Sequence, residues 1–203
     1  MALSLWLGFL AAAVLIAISP GPGAVVSMST GLRYGYSAAF RVILGLQAAL
    51  LLQMLIVALG LGALLASSQT AFNLVKLIGA SYLIWLGIQK WRSTPQEITA
   101  NACSIASHGL FLQGLLVNLT NPKAIVFIAA LVPQFIDPAR PQWPQILIIA
   151  LTMVSVDTLV MSCYALLATH LRRWLHDPKA QKLQNRFFGS IFIGAGLLLA
   201  GSR

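Results

Sequence analysis

An all-α integral membrane protein of six transmembrane helices, arranged as an inverted 3+3 repeat, is the fold class this sequence predicts. Three observations predict it. Hydrophobic residues make up 59% of the 203 and charged residues only 8%, a balance that belongs to chains solvated by lipid. The apolar residues fall into six runs separated by short polar connections. Two of those runs, the first and the fourth, are interrupted by proline at corresponding places, at Ile18-Ser19-Pro20-Gly21-Pro22-Gly23 and at Asn121-Pro122-Lys123.

The first span is expected over Leu3 to Thr30. From Ala2 to Leu32 there is no charge, and at about 1.5 Å per residue such a run crosses a bilayer core of roughly 30 Å. Met1 to Ile18 lacks the basic region of a secretory signal, so it reads as a retained helix. Pro20 and Pro22 remove two backbone donors, and the intervening glycines offer no side chain to shield the freed carbonyls. In hydrocarbon those carbonyls need protein, water or a ligand. A plain proline kink tolerated by neighbouring helices is the simpler reading; a matching break in the other half argues for a binding site.

The second span is expected over Ala39 to Ala66 and the third over Phe72 to Trp91. The polar stretch 93–109 then divides a first three-helix repeat, 1–92, from a second, 110–203. The fourth span runs from Leu110 to Phe135, followed by a proline-rich turn from Asp137 to Pro144. The fifth runs from Gln145 to Thr169. A basic loop, His170 to Arg186, leads to a short sixth span, Phe187 to Ser202. Three spans per half force the second copy to insert upside down. Lys76-Leu77-Ile78-Gly79-Ala80-Ser81 and Arg186-Phe187-Phe188-Gly189-Ser190-Ile191 open the third span of each half with faint similarity.

Charge gives the orientation. The connections after spans one, three and five hold Arg33, Arg41, Lys90, Arg92, Arg172, Arg173, Lys179, Lys182 and Arg186, against Lys76, Arg140 and Arg203 on the other side. The basic side is the cytoplasmic one, which puts both termini in the periplasm of a bacterial inner membrane. The net charge of +9 therefore meets anionic lipid head groups, and nucleic acid is not an expected partner.

The charged residues deep inside their spans are Lys123 and Asp157, each about 13 residues into its run. An ionised side chain at that depth costs about 2.5–3.5 kcal/mol on insertion scales. Either the two form a fixed structural pair, or a substrate and a proton use them, with Asp157 as the proton carrier. Gln47, Gln53, Asn118, Asn121, Ser155 and Thr158 are uncharged polar groups at similar depth, available to a neighbouring helix or to a solute. The expected solute site is Ser19, Pro20, Gly21, Pro22, Gly23, Gln47, Asn118, Asn121, Pro122 and Lys123. His108, His170 and His176 lack a paired carboxylate or metal-ligand spacing, and Cys103 and Cys163 lack it too, which argues against an enzyme, a resident metal or a cofactor. No Gly-Lys-Ser phosphate loop is present, so active transport would run on an ion gradient.

These residues carry a resemblance. Ser19-Pro20-Gly21-Pro22-Gly23, Gly31, Gly35 and Gly45 in the first half resemble the LysE/RhtB family of amino acid exporters. So do Tyr82-Leu83-Ile84-Trp85-Leu86-Gly87, Asn118-Leu119-Thr120-Asn121-Pro122-Lys123-Ala124 and Pro133-Gln134-Phe135. The likeness spans the chain and is greatest to the homoserine/homoserine lactone efflux branch. It implies efflux of an amino acid or derivative from the cytoplasm in exchange for protons. Export of leucine, lysine, arginine or a cation stays open, as does assembly into a homo-oligomer.

Overall fold

The computed structural model describes residues 1–67, 69–93, 109–137, 139–168 and 177–201, and the described residues are helical nearly throughout, with no strand among them. Helix α1, Leu3–Ile18, stops where Ser19 and Gly21 turn extended, and α2, Pro22–Tyr34, restarts with proline at its first position. There the missing N–H would have had no acceptor and the fixed φ already suits a helix. The two segments meet at 54°. Gly35, at φ 79°, joins α2 to α3, Tyr36–Ser67; only glycine takes that conformation without strain. Helix α4 spans Gln69–Arg92.

The second half repeats the device. Helix α5, Leu110–Leu119, breaks at Thr120 and Asn121, and α6, Pro122–Val126, again opens on proline. The bend between α5 and the Pro122–Phe135 segment is also 54°. Beyond α6 the chain widens to a π turn over Phe127–Leu131 and tightens to a 3-10 turn over Val132–Phe135. Pro133 supplies the reason, since it has no N–H to give and its ring crowds the carbonyl four residues back. Helices α7, Gln142–Leu166, and α8, Pro178–Gly201, complete the chain.

Among the described residues, Tyr36–Gly60 of α3 and Gln142–Leu166 are long and apolar enough to cross a membrane, and the count rises to four if each bent pair is one span. Helices α4 and α8, 24 residues each, carry more charge: Lys76, Lys90 and Arg92 on one, Lys179, Lys182 and Arg186 on the other. Several helices start or end a few residues outside the expected bounds, and the largest departure is at α8. The region read as the end of a basic loop is already helix from Pro178, because Asp177 caps it: its Oδ1 accepts from the Lys179 N–H at 3.0 Å. Glu97, Cys103, His108, His170, Arg172, Arg173, His176 and Arg203, with most of the 93–109 linker, lie outside the described residues.

Two backbone-to-backbone seams hold the bundle. Gly45 of α3 faces the Phe111 carbonyl of α5, and Gly114 of α5 faces the Val42 carbonyl of α3; neither leaves room for a Cβ. Between α4 and α8, a Cβ on Gly87 would stand 2.6 Å from the Gly189 carbonyl oxygen, and one on Gly189 2.7 Å from that of Gly87. Two apolar clusters fill the space around the breaks. One gathers Phe9, Met54, Phe127, Ile128 and Ile149; the other gathers Ala24, Val42, Ile43, Met161 and Tyr164.

Candidate functional site

At the first break the last turn of α1 exposes carbonyls that no N–H downstream can reach. Side chains from three other helices reach them instead. The Lys123 ammonium of α6 donates to the carbonyl of Ile16 at 2.8 Å and to that of Ser19. The Tyr164 hydroxyl of α7 donates to Ile18 at 2.6 Å, and the Lys90 ammonium of α4 to Pro20 at 3.4 Å. Opposite these carbonyls, α2 opens at Pro22 with Gly21 before it and no side-chain cap, and Gly21, Gly23 and Ala24 line the same space. The Ser19 hydroxyl is fully buried and has no partner.

The second break is closed by its own polar residues. Asn121 caps α6, its side-chain oxygen accepting from the Lys123 N–H at 3.1 Å, and its amide donates to Asn118 Oδ1 at 3.3 Å. Asn118 in turn donates to the Leu46 carbonyl of α3 at 2.8 Å, while Gln53 donates to the Asn118 carbonyl at 2.9 Å. These bonds tie α5 to α3 beside the glycine seam.

Between the breaks lies a cavity of about 40 Å³ whose lining includes Ile16, Gly21, Asn121, Lys123 and Asp157. Asp157 is the one carboxylate among the described lining residues. Its Oδ2 accepts from Gln47 Nε2 at 2.7 Å, and the Gln47 carbonyl oxygen is buried without a partner. Asp157 and Lys123 share the cavity yet form no direct ion pair; each is held by a different neighbour. A cation-accepting end, built from the α1 carbonyls and Asp157, thus faces an anion-accepting end at the start of α2. The volume holds a few waters and falls far below the roughly 300–1,000 Å³ of ligand pockets. Admitting a solute therefore requires movement.

The residues singled out in sequence divide by position. Gly21, Gly23, Asn121, Lys123 and Asp157 line the cavity. Gln47 stands behind Asp157, and Asn118 behind Asn121. Pro22 and Pro122 are exposed on the outer side; their contribution is to the backbone. Pro20 presents its carbonyl to Lys90, and Ser155 is exposed on the outer side of α7. Sequence reasoning missed Lys90, read only as an orienting charge, and Tyr164. A tyrosine in an apolar helix was the available signal, because a buried phenol needs an acceptor.

A helical membrane protein in which two broken helices bring helix ends and an ammonium, and an unbroken helix brings a carboxylate, to one small cavity has the anatomy of a transporter. The chain belongs to the LysE type translocator family, whose pattern matches residues 14–203, as the motifs of both breaks implied. It is 45% identical over 199 residues to the homoserine/homoserine lactone efflux protein of Salmonella typhi, covering 98% of this chain and 97% of that one. An uncharacterized membrane protein of Vibrio cholerae is 45% identical over the full length of both chains. The leucine efflux protein of Klebsiella pneumoniae is 29% identical over 96% of this chain and 94% of its own. No solved structure matches the chain.

Proposed function

We propose that the protein is a secondary active exporter that carries homoserine, homoserine lactone or a similar small amino acid derivative out of the cytoplasm in exchange for protons. The observation that carries this reading is the cavity itself, where the carbonyls at the end of α1 and a carboxylate face the start of α2, which no side chain caps. Such a site matches a zwitterion's ammonium and carboxylate. The 45% identity to an efflux protein for homoserine and its lactone favours that solute class over leucine, whose efflux relative stands at 29%.

Six spans in a bacterial inner membrane, with both termini periplasmic, complete the reading. Helices α4 and α8 serve as the third span of each half, on either side of the 93–109 linker. The exchange of contacts between them supports an inverted repeat: Gly87 lies against Gly189, and Gly196 against Ala80, as a two-fold axis between paired helices requires. The cluster around Phe9 and Phe127 closes the cavity toward the periplasm, and the cluster around Val42 and Tyr164 closes it toward the cytoplasm. Opening each in turn gives alternating access. Facing outward, Asp157 takes a proton; facing inward, it releases that proton as a solute ammonium arrives.

Purified protein reconstituted into vesicles loaded with labelled homoserine, homoserine lactone, leucine or lysine tests this. Homoserine and its lactone leave fastest, and an acidic exterior accelerates them. Vesicles that retain all four solutes would overturn the reading.

A further inference from the structure

Lys123 occupies the acceptors that an amino acid's ammonium would seek. Its Nζ donates to the Ile16 and Ser19 carbonyls at the C-terminal end of α1, where backbone dipoles leave partial negative charge. An α-ammonium has the same charge and the same three donors. A permanent cap does not need that charge. The neutral phenol of Tyr164 caps Ile18 at the same helix end. Lys123 instead brings a full charge to the centre of the bundle without a direct carboxylate partner, at a cost that hydrogen bonding to carbonyls only partly offsets. It also lies in the cavity, unlike Lys90, with its Nζ and Cε alongside Gly21, where even a Cβ would approach within 3.5 Å of Nζ.

Resting on the exporter reading above, we propose that Lys123 is a tethered substitute for the substrate's ammonium, filling its subsite in the empty carrier and leaving when solute arrives. Asp157 lines the same cavity and gives the displaced ammonium a carboxylate to turn to. With its cation subsite filled from within, the empty carrier can change its facing. Net export then needs no returning amino acid. Without the tethered ammonium, the bare carbonyls and the carboxylate hold the empty carrier back, and transport proceeds only while solute occupies both sides.

The test compares net efflux into solute-free buffer with exchange against external homoserine in the same reconstituted vesicles. The readout is the ratio of the two rates. In Lys123→Gln and Lys123→Ala both rates fall, but the ratio drops by about tenfold or more, the size expected from losing hydrogen bonds of a charged donor. Lys123→Arg keeps the wild-type ratio, and external methylammonium restores it in Lys123→Ala. A ratio unchanged in Lys123→Gln would overturn the proposal, because the lysine would then serve both modes alike as a cap or a solute contact. If Lys123→Ala does not reach the membrane, Lys123→Gln against Lys123→Arg decides by the same ratio. Wild-type protein that moves homoserine in neither mode overturns the exporter reading and this one with it; active wild type with equal ratios overturns this one alone.

Discussion

Replacing Asp157 by asparagine separates folding from coupling. The carboxylate accepts one hydrogen bond from Gln47 at 2.7 Å, and an asparagine oxygen can accept the same bond with almost no change in volume. No ion pair with Lys123 is broken. Exchanging a charged acceptor for a neutral one costs about 1 kcal/mol, or roughly 2–4 °C in Tm for a chain of this size. Transport should respond far more. With one carboxylate among the described cavity residues, the exchange proposed above would carry one proton per cycle. A pH difference of one unit, about 1.4 kcal/mol, then sustains a solute ratio of about tenfold. The assay measures the steady solute ratio across reconstituted vesicles against imposed pH difference, with the membrane voltage held at zero. Wild type gives about tenfold per unit and Asp157→Asn gives no dependence on pH difference, while solute exchange continues. An Asp157→Asn protein that still builds a tenfold ratio would refute the coupling role, and a wild-type ratio near a hundredfold per unit would refute one proton per cycle.

Other outcomes are open to direct measurement. Gly114→Ala puts a methyl against the Val42 carbonyl and should destabilise the protein by about 1–3 kcal/mol. Gly60→Ala, with nothing within 4 Å, should be neutral or stabilise by up to about 1 kcal/mol; thermal melts in detergent compare the two. Tyr164→Phe leaves the Ile18 carbonyl without its 2.6 Å partner and should cost about 1–3 kcal/mol, read as a lower Tm. A single cysteine at Lys182, an exposed position on α8, should resist an impermeant thiol reagent in intact cells and react in inverted vesicles; labelling from outside would reverse the proposed orientation.

The breaks were legible because proline chemistry is local. Pro20, Pro22 and Pro122 cannot donate wherever the rest of the chain goes, so the interruptions followed from a few adjacent residues. The family was legible for the same reason, through contiguous motifs. What closes the breaks was not. Lys123 lies about a hundred residues along the chain from Ile16 and Ser19, and no pattern in either segment names the other. Depth alone suggested pairing Lys123 with Asp157, but the α1 carbonyls and Gln47 reach them first. Periodicity could not show that Pro22 and Pro122 face outward, since that depends on how each half-helix is rotated against its neighbours. The early start of α8 was within reach: Asp177-Pro178 is a helix-opening pair, masked by reading the basic residues after it as loop.

The glycine seams also set where this protein can bend. At Gly45 against Phe111, and at Gly87 against Gly189, main chain rests on main chain, with no side chain between that could swing to absorb a displacement. Each seam joins its helices as a weld joins two beams, so α3 travels with α5, and α4 with α8. Mechanical freedom is left to the joints, the two 54° corners at Ser19–Gly21 and Thr120–Asn121. These corners are pinned by polar side-chain bonds, including those of Lys123 and Tyr164. Removing such a pin changes the stiffness of a joint while the beams stay straight, so damage at the corners and damage at the seams should produce different failures: altered motion in one case, lost assembly in the other.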